Sequence, residues 1–174
     1  MVAETDPYLP ESPTLLALPS RAYDVLISDI DQGELINIGE QYQPTNLSSA
    51  VFPTIPFPVL GRVHGKNQRL MVPLVCQHAG GKKSPSLNVW FIVDTGAPYT
   101  YLTVQTIEKL VGQGFTNHTH NIMIQDQRTY VECEISRGHF TDVNVLGIDA
   151  IQELEISIIF QWKVSKKMFY LVRL

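Results

Sequence analysis

An aspartate, a hydroxyl residue and a glycine follow directly after an apolar run near the middle of the chain. Phe91-Ile92-Val93 is typical of a buried strand, and Asp94-Thr95-Gly96 comes immediately after it. Gly96 permits a turn and a close backbone approach that a side chain would block. A carboxylate at the end of a buried strand is costly unless something uses it. The triplet is short, however, and a turn aspartate that accepts backbone N–H groups is the ordinary alternative.

The rest of the sequence offers no comparable site. It contains no Gly-x-Ser-x-Gly elbow, no phosphate-binding glycine loop and no nucleotide fingerprint. His118-Thr119-His120 would put two histidines on one face of a strand, but no third ligand follows at a recognisable spacing. Surface or hairpin-base histidines are the simpler interpretation. We therefore expect neither a metal nor a cofactor.

Short apolar strands broken by turn residues surround the motif. They cover about 59–65, 70–76 and 88–93, with a Gly- and Lys-rich loop over 80–85. This spacing predicts an all-β barrel or sandwich. One short helix is predicted at Val104–Val111, because apolar residues recur at helical spacing between a capping Thr103 and Gly112.

Two further strands, 120–124 and 130–135, flank the polar tip 125–128. Apolar and polar residues alternate in both, so we expect a hairpin with one apolar face. It is more typical of a cover than of a core element.

The two ends of the chain differ in character. The carboxyl-terminal part predicts a strand over 143–147, a short helix over 149–154, and strands over 156–164 and 168–174. At the amino end, a Pro-, Ser- and Thr-rich arm reaches Ser20, and the runs 25–27 and 35–38 around Asp31-Gln32-Gly33 suggest a hairpin. Closely spaced prolines disfavour helix or central strand over 44–58. We therefore expect residues 1–57 to form an arm of unknown role and residues 58–174 to form the core domain.

The sequence around Asp94 resembles the retropepsin-like aspartic proteases over more than the triplet. The stretch from Val93 to Leu102 fits the family's apolar residue, Asp-Thr-Gly-Ala, two variable positions, Thr, one variable position and Leu. Further on, Val145-Leu146-Gly147-Ile148-Asp149 fits its second signature of two apolar residues, Gly, a variable residue and Asp or Asn. The helix after the first motif looks more like the cellular, DNA-damage-inducible-type members than the compact viral enzymes.

This resemblance implies a closed, barrel-like retropepsin fold with one or two short helices, active as a homodimer. The chemistry requires two aspartates that share a proton, and this chain carries one such motif. Two copies would thus hydrolyse peptide bonds in extended protein segments, with Asp94 from each activating one water. By resemblance, Thr95 would bond across the dimer and Gly96 would offer its carbonyl to substrate. The last strand would join the dimer interface, or else be an ordinary barrel strand.

The substrate-binding positions follow from the same resemblance. They are Ala97, Pro98 and Tyr99 on the motif loop and, on the hairpin tip taken as a flap, Ile124, Gln125, Asp126 and Gln127.

Two departures from the family pattern leave alternatives open. Viral members usually have Asp after the Ala, paired with Arg after the second-signature Gly, where this chain has Pro98 and Ile148. Pro98 also lacks the N–H that holds substrate backbone, and the hairpin lacks glycine. A dimeric peptide-binding module that cleaves nothing is the rival function. A third idea is that the arm occupies the groove as a pro-segment.

Composition excludes several other classes of function. The chain has 174 residues, 44% hydrophobic and 17% charged, enough for a real core. Its net charge is -4, and its basic residues are scattered along the sequence and do not form the basic patch that a nucleic-acid-binding surface needs. No apolar run approaches the ~20 residues of a membrane helix, and the acidic amino terminus is unlike a signal peptide. With two cysteines only, we expect reduced thiols and a cytoplasmic location.

Overall fold

The computed structural model describes residues 25–80 and 84–173, and these form nine strands and three α-helices. The arm predicted up to Ser20 and the centre of the 80–85 loop lie outside the described residues. The helices are α1 (Gln32–Tyr42), α2 (Val104–Val111) and α3 (Ile148–Glu153). The strands are β1 (Val59–His64), β2 (Arg69–His78), β3 (Leu87–Val93), β4 (Tyr101–Leu102), β5 (Thr119–Ile124), β6 (Val131–Ile135), β7 (Asn144–Leu146), β8 (Ile156–Phe160) and β9 (Met168–Arg173).

Six of the strands close into a barrel. They lie in the order β3-β7-β4-β6-β5-β2, and β2 pairs again with β3, so this part of the sheet has no free edge. The remaining three continue outward from β2 as β1-β9-β8. The predicted all-β, barrel-like class with short helices is confirmed.

The strand that leads to Asp94 is buried on both faces. Val89, Phe91 and Val93 belong to the core cluster that also holds the inward residues of β5 and β6. Trp90 and Ile92 belong to a second cluster on the other face. Because successive side chains of a strand point to opposite faces, two cores require a continuous apolar run, which is what the sequence of β3 contains.

Helix α1 covers this second face, and the hairpin predicted for 25–38 is wrong. Asp31 caps the helix, since its Oδ1 accepts the Glu34 N–H at 2.8 Å. Leu35 and Ile38, three positions apart, are fully buried against Trp90. The β-branched residues in 36–38 suggested a strand, but the cap and the buried helical face decide the structure.

The stretch after α1 behaves as its prolines predict. Residues 44–58 contain no helix and no strand of the main sheet, apart from a single bridge between Ser49 and Leu87. Several bonds tie this stretch to β3. Among them, the Trp90 indole N–H donates to the Pro44 carbonyl at 2.7 Å, and the Trp90 N–H donates to Asn46 Oδ1 at 3.0 Å. Residues before Pro58 thus hold the outer face of the strand that leads to Asp94.

The predicted hairpin forms, but it is a wall of the barrel and not a cover. β5 and β6 pair with each other, β5 also pairs with β2, and β6 also pairs with β4. Their apolar residues are buried in the barrel core, Ile122, Ile124 and Cys133 among them. The sequence correctly indicated that the hairpin has one apolar face. Sequence periodicity does not reveal that both outer edges of the hairpin are paired with other strands.

The other helices and the final strands fall close to prediction. Helix α2 has the predicted bounds, with the Thr106 N–H donating to Thr103 Oγ1 at 3.1 Å and Gly112 at its end. The strand predicted over 156–164 ends earlier, at Phe160, because Gln161 accepts bonds from Val164 and Ser165 that form a turn. Strand β9 pairs with β1 on one side and β8 on the other, in the part of the sheet that continues outward from the barrel.

Candidate active site

Asp94 lies at the carboxyl end of β3, in a tight turn. Its N–H donates to the Leu146 carbonyl at 3.0 Å, and its carbonyl accepts the Ala97 N–H at 3.1 Å. Its Oδ1 accepts the Gly96 N–H at 2.9 Å, while Oδ2 has no hydrogen-bond partner among the described residues. Asp94 is half-buried, whereas Thr95 and Gly96 are exposed. The aspartate is therefore a turn residue, as in the ordinary alternative, but one carboxylate oxygen is left for another partner.

A second loop locks the first in place. β7 runs parallel to β3, with Val93 opposite Leu146, so both strands deliver their loops to the same end of the barrel. The Ile148 N–H donates to the Ala97 carbonyl at 2.9 Å. The two signature stretches found in the sequence are therefore interleaved in space.

Thr100 is the central link between the two loops. Its hydroxyl donates to Asp149 Oδ1 at 2.7 Å and accepts the Gly147 N–H at 3.1 Å, while its N–H donates to Asp149 Oδ2 at 3.0 Å. Burial raises the pKa of Asp149, and the bonds from Thr100 and Ala150 oppose that rise. These residues therefore position the loops and leave Asp94 as the accessible carboxylate.

Gly147 cannot be replaced by a larger residue without moving a loop. A Cβ at this position would lie 2.2 Å from the Tyr99 carbonyl oxygen and 2.5 Å from its carbon. Both contacts are with backbone, which cannot rotate away as a side chain can. The φ of −81° is ordinary, so glycine is required by close approach alone.

A cation lies close to Asp94, and no sequence pattern indicated it. The register that pairs Met71 with Ile92 brings Arg69 level with Asp94, and the charge of Asp94 contributes to raising the Arg69 pKa. The larger cause is Asp29, which accepts from Arg69 Nη2 at 2.6 Å and from Nε at 3.0 Å. The same bonds lower the Asp29 pKa, and Asn67 also donates to this carboxylate at 2.8 Å.

The predicted tip residues do not meet Asp94 within the chain. The Gln125 N–H donates to the Val75 carbonyl at 2.6 Å, and the Val75 N–H donates back to Gln125 Oε1 at 3.0 Å. Asp94 lies level with Arg69, and Arg69 is on the same strand as Val75, the partner of Gln125. Asp94 and Gln125 are therefore separated by about 20 Å along β2, at about 3.3 Å per residue. The structure thus brings Ala97, Pro98 and Tyr99 to the Asp94 loop and Ile124 to Gln127 to the opposite end of β2.

Ion pairs hold that tip against the rest of the domain. Asp126 is buried and accepts from Arg128 at 2.6 Å and from Arg173 of β9 at 2.6 Å. These bonds, that from Arg128 first, hold the Asp126 pKa well below its usual range. The Gln125 side chain also donates to the Pro56 carbonyl at 2.9 Å. A tip with this many internal bonds is fixed in place.

Within residues 25–80 and 84–173, no group of three or more His, Cys, Asp or Glu side chains could hold a metal ion. No described helix is long and apolar enough to cross a membrane.

Comparisons with known proteins give a similarity only among solved structures. Neither a scan against protein-family models nor a search of curated proteins gives a match. Among solved structures, the chain is similar to a retropepsin-like aspartic protease from Rickettsia conorii, at 16% sequence identity and a TM-score of 0.44, covering 75% of this chain and 97% of that chain. At this level of similarity, function has to be argued from the chain's own geometry.

Proposed function

We propose that this chain is an aspartic endopeptidase of the retropepsin-like family that works as a homodimer. The observation that carries the proposal is the presentation of Asp94: a half-buried carboxylate whose Oδ2 has no hydrogen-bond partner within residues 25–80 and 84–173, held by two interleaved loops. Beside it lie Thr95 and Gly96, which are exposed residues. Loops that bond each other to hold one carboxylate in place are expected where that carboxylate itself reacts.

Peptide hydrolysis without a covalent intermediate assigns two roles to two carboxylates. One removes a proton from water, and the other, protonated, polarises the scissile carbonyl. Two carboxylates held this close share a proton and titrate as a pair. Asp94 supplies one of them, and the second comes from Asp94 of another copy. Thr95 of each copy would brace the pair by a bond across the twofold axis, and the Gly96 carbonyl would accept a substrate N–H.

The outer edge of the β1-β9-β8 sheet supports a dimer. Strand β8 has a free edge among the described strands, with Ile159 38% exposed. In the turn that follows, Trp162 is 54% exposed and stacks on Phe160, with ring centroids 4.4 Å apart. An apolar free edge is an aggregation hazard for a monomer and a natural pairing site for a second copy.

Finer features of the proposal rest on the sequence resemblance. Helix α2 after the first motif favours the cellular, DNA-damage-inducible-type branch of the family. Cys76 and Cys133 are both unpaired and buried, in keeping with the proposed cytoplasmic location.

The test is a pair of matched Asp→Asn variants. Asp94→Asn should lower kcat/KM for peptide cleavage by more than about 100-fold, because it removes the acid–base group. Asp142→Asn, an exposed aspartate outside the loop, should leave cleavage unchanged. Sedimentation velocity should give the same dimer for all three proteins. Equal activity in Asp94→Asn and wild type would remove Asp94 from the mechanism, and a strictly monomeric active enzyme would remove the shared site.

Two observations favour the rival function, a dimeric peptide-binding module without catalysis. Pro98 has no N–H to hold a substrate, and the β5–β6 tip lies at the far end of β2 from Asp94. The two functions differ in one measurement: cleavage of a diverse peptide library that a statine-type inhibitor blocks. Such cleavage supports the protease, and binding of library peptides with no cleavage supports the module.

A further inference from the structure

Arg69 lies beside the Asp94 carboxylate, on the neighbouring strand. It is the first residue of β2, and continuing the β2–β3 register by two residues places it directly opposite Asp94. Residues in such positions have Cβ atoms about 5 Å apart. Met71 and Ile92, which pair in this register, both belong to the cluster on the α1 side. Alternation along the two strands therefore brings Arg69 and Asp94 to that same side.

The guanidinium of Arg69 is held by Asp29 and not by Asp94. Nη2 donates to Asp29 Oδ1 at 2.6 Å, and Nε donates to both oxygens of the same carboxylate at 3.0 Å. Asn67 adds a bond to Asp29 Oδ2 at 2.8 Å. The bonds to Asp29 are the main cause of the raised Arg69 pKa, and the charge of Asp94 makes a smaller contribution. Asp94 is thus near enough to attract the cation that Asp29 holds.

Asp29 is positioned by its own segment of chain and not by Arg69 alone. It lies in the stretch that leads into α1, between Ile27 and Ile30, which are 2% and 5% exposed and pack in the cluster against β3. Two residues further on, Asp31 caps α1. The carboxylate is therefore presented to Arg69 by a segment that is anchored on both sides.

The other titratable groups on the elements around Arg69 are engaged elsewhere or carry the same charge. His64, opposite Arg69 on β1, bonds Glu34 of α1 through its Nε2 at 2.6 Å. Asp149 accepts three bonds from the two interleaved loops. Lys66, in the turn between β1 and β2, is an exposed cation. None of these described groups is therefore available to take the guanidinium from its present partner.

An unrestrained arginine at this position would bond Asp94. Guanidinium and carboxylate groups form paired, charge-assisted bonds, and Asp94 Oδ2 has no partner among the described residues. Such a pair would occupy the oxygen that the attacking water needs. It would also hold the carboxylate ionised, so that two copies could not share the proton that hydrolysis requires. The three bonds from Arg69 to Asp29 prevent this pairing.

We infer that Asp29 is a positioning residue, which restrains Arg69 and thereby keeps the Asp94 carboxylate open to water and able to share a proton. The inference rests on the proposed function, because it gives Asp29 a part in the same reaction. It differs from a purely structural role in one respect. Removing Asp29 harms the reaction only while Arg69 is present.

The pH dependence of kcat/KM for peptide cleavage tests the inference. In Asp29→Ala, the alkaline limb of the profile should move by about one unit to lower pH, because the released guanidinium favours the ionised pair. At a pH on that limb, cleavage should fall about tenfold. Adding Arg69→Gln should return the limb to its wild-type position. Asp29→Glu, which keeps the carboxylate, and Asp142→Ala, which removes an exposed one elsewhere, should leave the limb in place.

Two kinetic results would overturn the inference. One is an unchanged profile in Asp29→Ala. The other is an equal loss in Asp29→Ala and in the double variant with Arg69→Gln, because a merely structural ion pair is broken in both. The side chains of Arg69 and Asp29 are 27% and 26% exposed, so breaking their pair should not unfold the domain.

A readout without catalysis separates this inference from the proposed function. The Nε–H proton of Arg69, followed by NMR, should exchange slowly with water in wild type and in Asp29→Ala. It should exchange fast when Asp94→Ala is added to Asp29→Ala, because the second acceptor is then also gone. Fast exchange already in Asp29→Ala, or slow exchange in all three proteins, overturns the inference and leaves the protease standing. The expected pattern without any cleavage by wild type keeps the restraint of Arg69 and overturns the protease.

Discussion

Replacing Gly147 with alanine tests whether the two interleaved loops are as tightly fitted as the structure indicates. The new Cβ would lie 2.2 Å from the Tyr99 carbonyl oxygen, where an ordinary contact needs about 3.4 Å or more. One loop must therefore move by about 1 Å. The movement pulls on two buried bonds, from Gly147 to the Thr100 hydroxyl and from Ile148 to the Ala97 carbonyl.

The expected loss of stability follows from these contacts. Overpacking of a well-filled site costs about 1–3 kcal/mol. Each weakened buried hydrogen bond adds about 1 kcal/mol. The free energy of unfolding should fall by about 3–5 kcal/mol, a large part of the about 5–15 kcal/mol that holds a typical domain.

Urea unfolding of Gly147→Ala and Gly65→Ala at the same pH measures this. Gly65 has φ +68°, and no atom lies within 4 Å of the place that a Cβ would take, so alanine there adds backbone strain without a clash. That strain costs about 1–2 kcal/mol. Gly147→Ala should therefore be clearly less stable than Gly65→Ala. If the two variants lose the same free energy, or Gly147→Ala loses less, close approach is not the reason for the glycine.

Three further outcomes are expected. Asp126→Asn should lower the free energy of unfolding by about 2 kcal/mol at pH 6, because Arg173 loses a charged partner. Since the pKa of Asp126 is depressed in the folded state, the difference in urea midpoint between wild type and variant should shrink as the pH falls below about 4. A difference that stays constant with pH would contradict the ion pair. A double-mutant cycle of Arg69→Gln and Asp29→Asn should give a coupling of about 1 kcal/mol, whereas additive losses would mean the two are independent. Ile159→Lys should weaken the dimer in sedimentation velocity by placing a charge on the β8 edge, and an unchanged dimer would move the interface elsewhere.

Features set by neighbouring residues in the chain were predictable from the sequence. Helix α2 was located to its ends because Thr103 and Gly112 are local start and stop signals. Each signature stretch was also recognisable in the sequence as an apolar strand followed by a glycine turn. Helix α1 was missed because β-branched residues dominate 36–38, although the Asp31 cap and the burial of Leu35 and Ile38 with Trp90 favour the helix.

Features set by register across the barrel were not predictable. Asp29 and Arg69 are distant in sequence and meet only because the segment before α1 lies beside the start of β2. The alignment of β2 with β3 places Arg69 level with Asp94 and separates Gln125 from Asp94 along β2. Alternating apolar residues identify the face of a strand, but not its neighbours or the offset between them. The position of the predicted flap relative to Asp94 depends on these offsets, whereas the residues that follow Asp94 in its own loop do not.

Because β3 is buried on both faces, it links the barrel core to helix α1, which comes from the part of the chain before Pro58. Trp90 and Ile92 face α1, so any change to Leu35 or Ile38 alters the support of the strand that ends at Asp94. A chain shortened to begin at Pro58 would expose that apolar face to water and invite association through it. Over evolutionary time, the helix and the outward residues of β3 should therefore change together, and a transplanted barrel would need its own helix to keep the carboxylate in place.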